Sequence, residues 1–450
     1  MSEKDLYSNL CILIYILLWF NAFLNQRKKN RFGTSAYLSL LYLTWAILSL
    51  FLYNNDLRNS YHNLTLFPFI YLFIMVYMFM RPNIKYDNLK TNSIICPSRI
   101  IVQSFFIIYG VCSLIALPVI IEQLTSNIQI FLNDSNAGDI LYQINMNNVM
   151  NGNGIMGLLS YAALIRNFFR ECFIFFLFYY LTLERRSRSL TIYLITILTL
   201  DILSALISGG RTSFTMMVFA IGSAYFIFND YWNPTLKKII NSLILGSGIF
   251  FLLILVILTY SRFSSNNYSE SPLWSILSYL GQSPLNFDQY GLDAGGIRYG
   301  DRTMNGFKSL LGLNPPENIY AVRHLYSAMK MNDSYFYTFV GDFTLDFGPI
   351  GAFIIFCVFS YFTTKLIKSK RNSIKMYELL IVYFCSCVCS QGSMYLFYYS
   401  FVQNYTIVAF VIVYFILYID GKLKNKKHQV ITKYNARNKN ISIKWFVHNS

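Results

Sequence analysis

The sequence predicts an all-α, polytopic integral membrane protein, because it is apolar, poor in charge and divided into long apolar runs. Of its 450 residues, 55% are hydrophobic and 13% are charged, whereas soluble domains carry about 25% charged residues. Apolar runs of about 17 to 25 residues are long enough to cross a bilayer as helices. Only helices and closed barrels satisfy the backbone in lipid, and runs of this length indicate helices.

About eleven such runs divide the chain and give eleven predicted transmembrane helices. They lie within residues 6–24, 36–53, 64–80, 100–121, 157–183, 190–207, 212–228, 239–260, 339–362, 376–392 and 396–418. This pattern predicts eight helices in residues 1–260, one long loop in 261–338, three helices in 339–420 and a basic, solvated tail in 421–450.

The basic residues predict how these helices are oriented. With the N-terminus outside, 26 of the 37 lysines and arginines face the cytoplasm, whereas the outward segment 122–154 contains none. This distribution follows the positive-inside rule and places the C-terminus inside. The inward segments are 27–31, 81–99, 184–189, 229–238, 365–375 and the tail from Lys422.

Several other classes of protein are excluded or disfavoured by the sequence. The net charge of +16 does not indicate nucleic-acid binding, because the basic residues form short clusters between apolar runs. The eight cysteines lie mostly in apolar runs, which predicts that they are small core residues and not members of a disulfide framework or a metal site. The first run is followed, not preceded, by its positive charges, so we interpret it as a retained helix. The missing phosphate-binding loop disfavours ATP-driven transport, the missing HExxH motif disfavours a metal site and the missing GxSxG motif disfavours a hydrolase. We expect no metal and no cofactor.

The predicted outward loop 261–338 is about 80 residues long. A connection of that length is predicted to be functional. Apolar periodicity predicts helices at 273–280 and 317–330, which indicates an ordered segment. Its cations include Arg298, Arg302 and Arg323, and an anionic lipid phosphate is a ligand that guanidinium groups suit, whereas a sugar would stack on aromatic rings.

An arginine also stands in the short joint SGGRT at Ser208–Thr212, which the topology places at the outer face. The two glycines permit a tight turn and close backbone approach to a ligand. One interpretation is that Arg211 extends to outer headgroups. The alternative is that it clamps an anion.

Two further arginines, Arg166 and Arg170, are four residues apart and share a face of one predicted transmembrane helix. Arginine at membrane depth usually faces a cavity or a partner. These two residues therefore predict either an anion site or a buried ion-pair network, with Glu171 as one acidic partner. Asp201 on a later helix is predicted to be a hydrogen-bonded interior acid rather than a catalyst.

Together these features resemble the O-antigen polymerases, the family that joins oligosaccharide repeat units in bacterial surface polysaccharide assembly. The resemblance covers the whole chain in organisation: ten to twelve apolar helices and one large loop before the last three. Locally, Ser208-Gly209-Gly210-Arg211-Thr212 resembles the family's Gly-x-Arg joint. A second segment, from Tyr337 to Gly351, resembles the entry to the helix that follows the loop.

The resemblance implies a glycosyltransferase of GT-C-like fold in the bacterial inner membrane. It would transfer a growing glycan from undecaprenyl pyrophosphate to a sugar hydroxyl of the next lipid-linked unit, at the periplasmic face and with a chain-length regulator as partner. We then expect Arg166, Arg170 and Arg211 to bind the pyrophosphates and Arg298, Arg302 and Arg323 to contact substrate from the loop. The candidate general bases are Asp301, His324, Asp342 and Asp346.

Asp342 and Asp346 share a helix face, so the alternative is that they cap the outer end of the bundle. Two other activities also remain open. A flippase would line its path with intramembrane Arg and Asp, and an O-antigen ligase would use a similar pyrophosphate clamp and outer loop.

Overall fold

The computed structural model of the protein is predominantly helical. It describes residues 3–29, 32–55, 61–89, 91–133, 158–207, 211–244, 246, 248, 272–316, 319–331, 336–368, 373–396, 401–423, 428–432 and 445–446.

Fifteen helices are labelled here in chain order. They are α1 (Glu3–Lys29), α2 (Thr34–Asn55), α3 (Leu66–Phe79), α4 (Arg81–Leu89), α5 (Arg99–Ile115), α6 (Leu117–Asn133), α7 (Leu158–Tyr180), α8 (Arg188–Ile207), α9 (Arg211–Phe228), α10 (Pro272–Asn286), α11 (Asn305–Leu310), α12 (Ile319–Leu325), α13 (Thr338–Leu366), α14 (Met376–Gln391) and α15 (Phe401–Lys422). Residues 234–244 are also helical, Asn229–Tyr231 form a 3₁₀ turn and Phe287–Gly291 form a π-helical turn.

The protein is an all-α membrane protein by the length and composition of its helices. Within the described residues, five helices are long and apolar enough to cross a membrane, or up to seven if each of two bent pairs is one span. Helix α7 carries three charged residues, Arg166, Arg170 and Glu171, and is not one of these candidate spans. Most of the predicted span 239–260 lies outside the described residues, and the total of eleven spans stays a prediction.

One predicted boundary was wrong. The helix predicted to end at residue 121 bends by 47° after Ile115 and continues as α6 to Asn133. Pro118 occupies the first turn of α6, where a missing N–H breaks no intrahelical bond. The segment 122–154, predicted to be a loop, therefore begins as a helix.

A small four-stranded sheet was not predicted. The strands are β1 (Ser93–Ile95), β2 (Ser373–Lys375), β3 (His428–Thr432) and β4 (Trp445–Phe446), in the order β2-β1-β3-β4. β1 pairs in parallel with β2 and antiparallel with β3. The sheet joins three segments that the sequence placed on the inner side, so those segments share one side of any membrane. Part of the tail, which was predicted to be solvated chain, is therefore paired.

Contacts divide the chain into two units. The first comprises residues 1–90, 273–368 and 381–407, and the second comprises 91–272, 369–380 and 408–450. In the first unit, Trp19 stacks on Tyr42 with ring centroids 4.7 Å apart. In the second, Tyr109 stacks on Phe173 at 4.4 Å.

Charged side chains satisfy helix ends in the first unit. The Lys85 ammonium donates to the carbonyls of Thr364 and Ile367 at the C-terminal end of α13. The Asp87 carboxylate accepts from the backbone N–H of Ser35 at 2.8 Å, at the start of α2. Both contacts place the charge that each helix dipole favours at its end.

Helix α13 contains a break that separates its first ten residues from the rest. Gly348 has φ 72° and ψ 164°, a conformation that residues with a side chain rarely adopt, and Pro349 follows it. The hydroxyl of Tyr71 donates to the Pro349 carbonyl at 2.6 Å. The segment before the break therefore has its own direction, and it carries Asp342 and Asp346.

Candidate functional site

The described part of the predicted loop belongs to the first unit from Leu273 onward, and its helix α10 packs closely against α2. The Ser49 hydroxyl of α2 donates to the Gly281 carbonyl at 2.8 Å. A Cβ at Gly281 would lie 2.7 Å from the Leu48 carbonyl oxygen, so only glycine permits this approach. Helix α10 confirms the helix predicted at 273–280, and α12 confirms part of the one predicted at 317–330.

Two buried ion pairs fasten this loop to the first segment of α13. The Arg302 Nε lies 2.8 Å from Asp342 Oδ1, and the Arg298 Nε lies 3.6 Å from Asp346 Oδ1. All four side chains are nearly inaccessible to solvent. The two carboxylates are four residues apart and therefore lie on one face of the helix. These four sequence-predicted residues are brought together by the structure.

Backbone N–H groups and one hydroxyl donate hydrogen bonds to the other oxygens of the two carboxylates. Asp346 Oδ2 accepts from the backbone N–H and the hydroxyl of Thr303, both at 2.7 Å. Asp342 Oδ2 accepts from the Leu396 N–H at 2.6 Å. This geometry supports the alternative in which Asp342 and Asp346 cap this end of the helices, because their oxygens are engaged in structural contacts.

Asn404 of α15 holds the same loop segment from another side. Its amide donates to the Thr303 carbonyl at 3.0 Å, and its oxygen accepts from the Gly306 N–H at 2.8 Å. Residues 298–306 are thus held by α13 and α15 together. Sequence reasoning missed Asn404, since a single buried amide in an apolar run carries no recognisable pattern.

Asp301 lies within this fastened segment and has two polar partners. Lys308 forms an ion pair with its Oδ1, and the Tyr326 hydroxyl donates to its Oδ2 at 2.6 Å. Burial and the hydrogen bond to Asp301 raise the pKa of the Tyr326 phenol. Tyr326 therefore remains protonated at neutral pH and presents a fixed O–H to the carboxylate.

A cavity of about 370 Å³ opens beside Asp301. Its lining residues are Arg298, Val322, Arg323, Tyr326, Ser327, Met329, Lys330 and Met331. Three of them are cationic, and within the described part of the chain no acidic side chain lines the cavity. The volume falls in the range of small-molecule sites, about 300–1,000 Å³. His324 is exposed and lies outside this lining.

The second unit contains the other pair of predicted arginines. The Arg166 Nε lies 2.6 Å from Asp201 Oδ1, and the Tyr109 hydroxyl donates to Asp201 Oδ2 at 2.8 Å. Arg166 and Asp201 are both buried. The prediction of Asp201 as a hydrogen-bonded interior acid is confirmed, and Arg166 belongs to an ion-pair network.

Arg170 lies one turn further along α7 and acts electrostatically on the same carboxylate. Its Nε is buried and has no hydrogen-bond partner among the described residues. One carboxylate, Asp201, therefore faces two guanidinium groups. Glu171, also buried, is placed about 100° around the helix from Arg170.

Arg211 begins α9, but its side chain and the joint before it lie outside the described residues. The predicted site residues of the first unit are Arg298, Asp301, Arg302, Arg323, Asp342 and Asp346, and those of the second unit are Arg166 and Arg170. Among the described residues, no cluster of three or more His, Cys, Asp or Glu side chains is placed to hold a metal ion.

No protein-family model, no curated protein and no solved structure matches this chain.

Proposed function

We propose that this protein polymerises oligosaccharide repeat units carried on undecaprenyl pyrophosphate. The observation that carries the proposal is the cation-lined cavity, fixed to the end of α13 by the Arg298–Asp346 and Arg302–Asp342 pairs. Transfer of a glycan from a lipid pyrophosphate develops negative charge on the leaving group. Guanidinium groups held in a partly dehydrated site stabilise such charge without a metal ion.

The proposal assigns separate tasks to the two sets of arginines. Arg170 is at membrane depth on α7, with Arg166 and Asp201 fixing its surroundings, and it faces the pyrophosphate together with Arg211. Arg298 and Arg323 belong to the loop and contact the substrate there, while Arg302 positions the loop.

Asp301 is the best-placed general base of the four candidates. Asp342 and Asp346 are engaged by arginines and backbone N–H groups, and His324 is outside the cavity. Asp301 reaches the cavity through the Tyr326 hydroxyl. In the proposed step the acceptor hydroxyl loses its proton toward Asp301 as its oxygen bonds to the donor sugar carbon. The bond from that carbon to the pyrophosphate oxygen breaks, and the electron pair leaves with the pyrophosphate.

The finer topology belongs to this proposal as well. It comprises eleven spans of GT-C-like architecture in the bacterial inner membrane, with a periplasmic N-terminus, a cytoplasmic C-terminus and a chain-length regulator as partner. The joining of three inward segments by the sheet supports the alternation of sides on which this topology rests.

The test is a gel of surface glycolipid from the native host after deletion of this gene and after complementation. We expect the deletion strain to show a core bearing a single repeat, and the wild-type gene to restore a ladder. Arg323→Gln and Arg211→Ala should not restore it, while Arg185→Gln, which alters an exposed arginine, should. A core without any repeat would refute polymerisation. Polymer accumulating on the carrier lipid would then indicate a ligase. Repeat units trapped on the cytoplasmic side of the membrane would indicate a flippase.

A further inference from the structure

Two lysines converge on one group of tyrosine rings in the second unit. The Lys375 ammonium lies 5.7 Å from the centre of the Tyr377 ring, and that of Lys422 lies 5.5 Å from the Tyr418 ring. The two rings are 5.3 Å apart and edge-to-face. A ring face attracts an ammonium group while leaving N–H bonds free to donate elsewhere. Each of these two contacting rings thus holds one cation.

The chain around these lysines is held in place. β2 pairs with β1 through Lys375 and leads directly into α14 at Met376. Asp420, two residues before Lys422, is buried and accepts from the Ser98 N–H at 2.7 Å. Glu378 is also buried. Both acids are buried whereas Lys422 is exposed, so among these described residues the charge that reaches the surface is positive.

Lys422 also ends an exposed apolar face of α15. Val411, Phe415 and Ile419 are 47%, 55% and 60% exposed. Phe415 and Lys422 are seven residues apart, which places them on the same side of the helix. Residues 403–422 are one of the five candidate spans, so this face contacts acyl chains and its terminal lysine lies at headgroup depth.

We propose that Lys375 and Lys422, held by Tyr377 and Tyr418, form a binding site for the phosphate of an anionic phospholipid. The acyl chain of that lipid lies along the Val411–Phe415–Ile419 face. An anionic headgroup is favoured over a zwitterionic one because it brings no ammonium group of its own to face the two lysines. The site is independent of the proposed polymerase activity.

The experiment measures the thermal unfolding midpoint of the purified full-length chain in detergent as phospholipid is added. We expect phosphatidylglycerol to raise the midpoint and phosphatidylcholine to have a much smaller effect. Each single variant, Lys375→Gln or Lys422→Gln, should weaken the apparent phosphatidylglycerol affinity about fivefold. The double Lys→Gln variant should lose most of the shift, and the double Lys→Arg variant should retain it.

The matched control is Lys237→Gln, which removes one partly exposed lysine from another predicted inward segment. It should respond to phosphatidylglycerol like the wild type. An undiminished shift in the double Lys→Gln variant, or an equal loss in the control, would overturn the proposal. An equal response to inorganic phosphate alone would also overturn it, because the ligand would then be a free anion and not a lipid.

Discussion

Arg302 and Asp342 form a buried ion pair across 40 positions of sequence, with the Nε of one 2.8 Å from the Oδ1 of the other. The pair joins a loop to the first turns of a helix. Removing one partner of a buried pair leaves an uncompensated charge, whereas removing both does not.

Asp342→Asn should destabilise the protein by about 3–5 kcal/mol, because Arg302 loses its countercharge in a buried site. The double variant Arg302→Met/Asp342→Asn should be more stable than the single one, because it buries no unpaired guanidinium. In both variants asparagine keeps an oxygen that accepts from the Leu396 N–H. Thermal unfolding of the purified variants tests this. If the double variant were the less stable, the unpaired charge of Arg302 would not be the cause of the loss in the single variant.

Asp301→Asn should abolish polymer formation while the protein still folds, because asparagine keeps an acceptor for the Tyr326 hydroxyl but cannot take a proton. Tyr326→Phe should slow polymerisation by about 10²–10⁴-fold, the usual contribution of a positioned proton-transfer group. The readout is ladder formation in the complemented deletion strain. Tyr299→Phe alters an exposed tyrosine of the same loop and should leave the ladder intact. A normal ladder from Asp301→Asn would exclude it as the base.

Arg166 and Arg170, the two arginines of α7, should respond differently to substitution. Arg166→Gln leaves the buried Asp201 without its ion-pair partner and should reduce stability by about 3–5 kcal/mol. Arg170→Gln removes a cation whose Nε has no described hydrogen-bond partner, so it should leave folding nearly unchanged and abolish polymerisation. Folded yield and ladder formation, measured together, separate the two effects. A stable, active Arg170→Gln protein would remove Arg170 from the proposed clamp.

The contact between Asp288 and the start of α3 should depend on pH. Burial raises the pKa of Asp288 to about 7, even though the Thr65 N–H donates to its carboxylate. A raised pKa means that the folded state favours the protonated acid. Its contribution to stability is therefore present below about pH 4 and is lost as the pH rises through about 7.

The unfolding midpoint of the wild type against pH, compared with that of Asp288→Asn, measures this contribution. The difference between the two curves should change between pH 4 and pH 8. Asp293→Asn is the control with the opposite sign, because the hydrogen bond and charge of Lys330 lower the pKa of Asp293. Parallel curves for wild type and Asp288→Asn would show that Asp288 titrates identically in both states.

The five long helices α1, α2, α8, α13 and α15 could be predicted from the sequence because each contains a long apolar run, and the loop helix α10 shows clear periodicity. The pairing of Arg298 with Asp346 could not be predicted, because nothing in a single sequence links two residues that are 48 positions apart. The bend before α6 was missed because Pro118 stands within an unbroken apolar stretch. The sheet was missed because three-residue strands such as β1 have no detectable alternation.

The sequence predicted which residues belong to the candidate site, but it did not predict the role of each residue. The sequence indicated that Asp342 and Asp346 share a face, but only the contacts show which groups occupy their oxygens. The proposed role of Tyr326 depends on a single hydrogen bond to Asp301. Because tyrosine is common throughout this loop, the sequence did not distinguish Tyr326 from the other tyrosines.

The small sheet has a consequence for biosynthesis. β1 occupies an interior position, and both of its neighbours, β2 and β3, are translated long after it. Residues 93–95 therefore lack both partner strands while some 280 further residues are translated. The sheet cannot close until the ribosome has synthesised β3, which follows all the labelled helices in the chain, so the sheet forms only after every one of those helices has been translated.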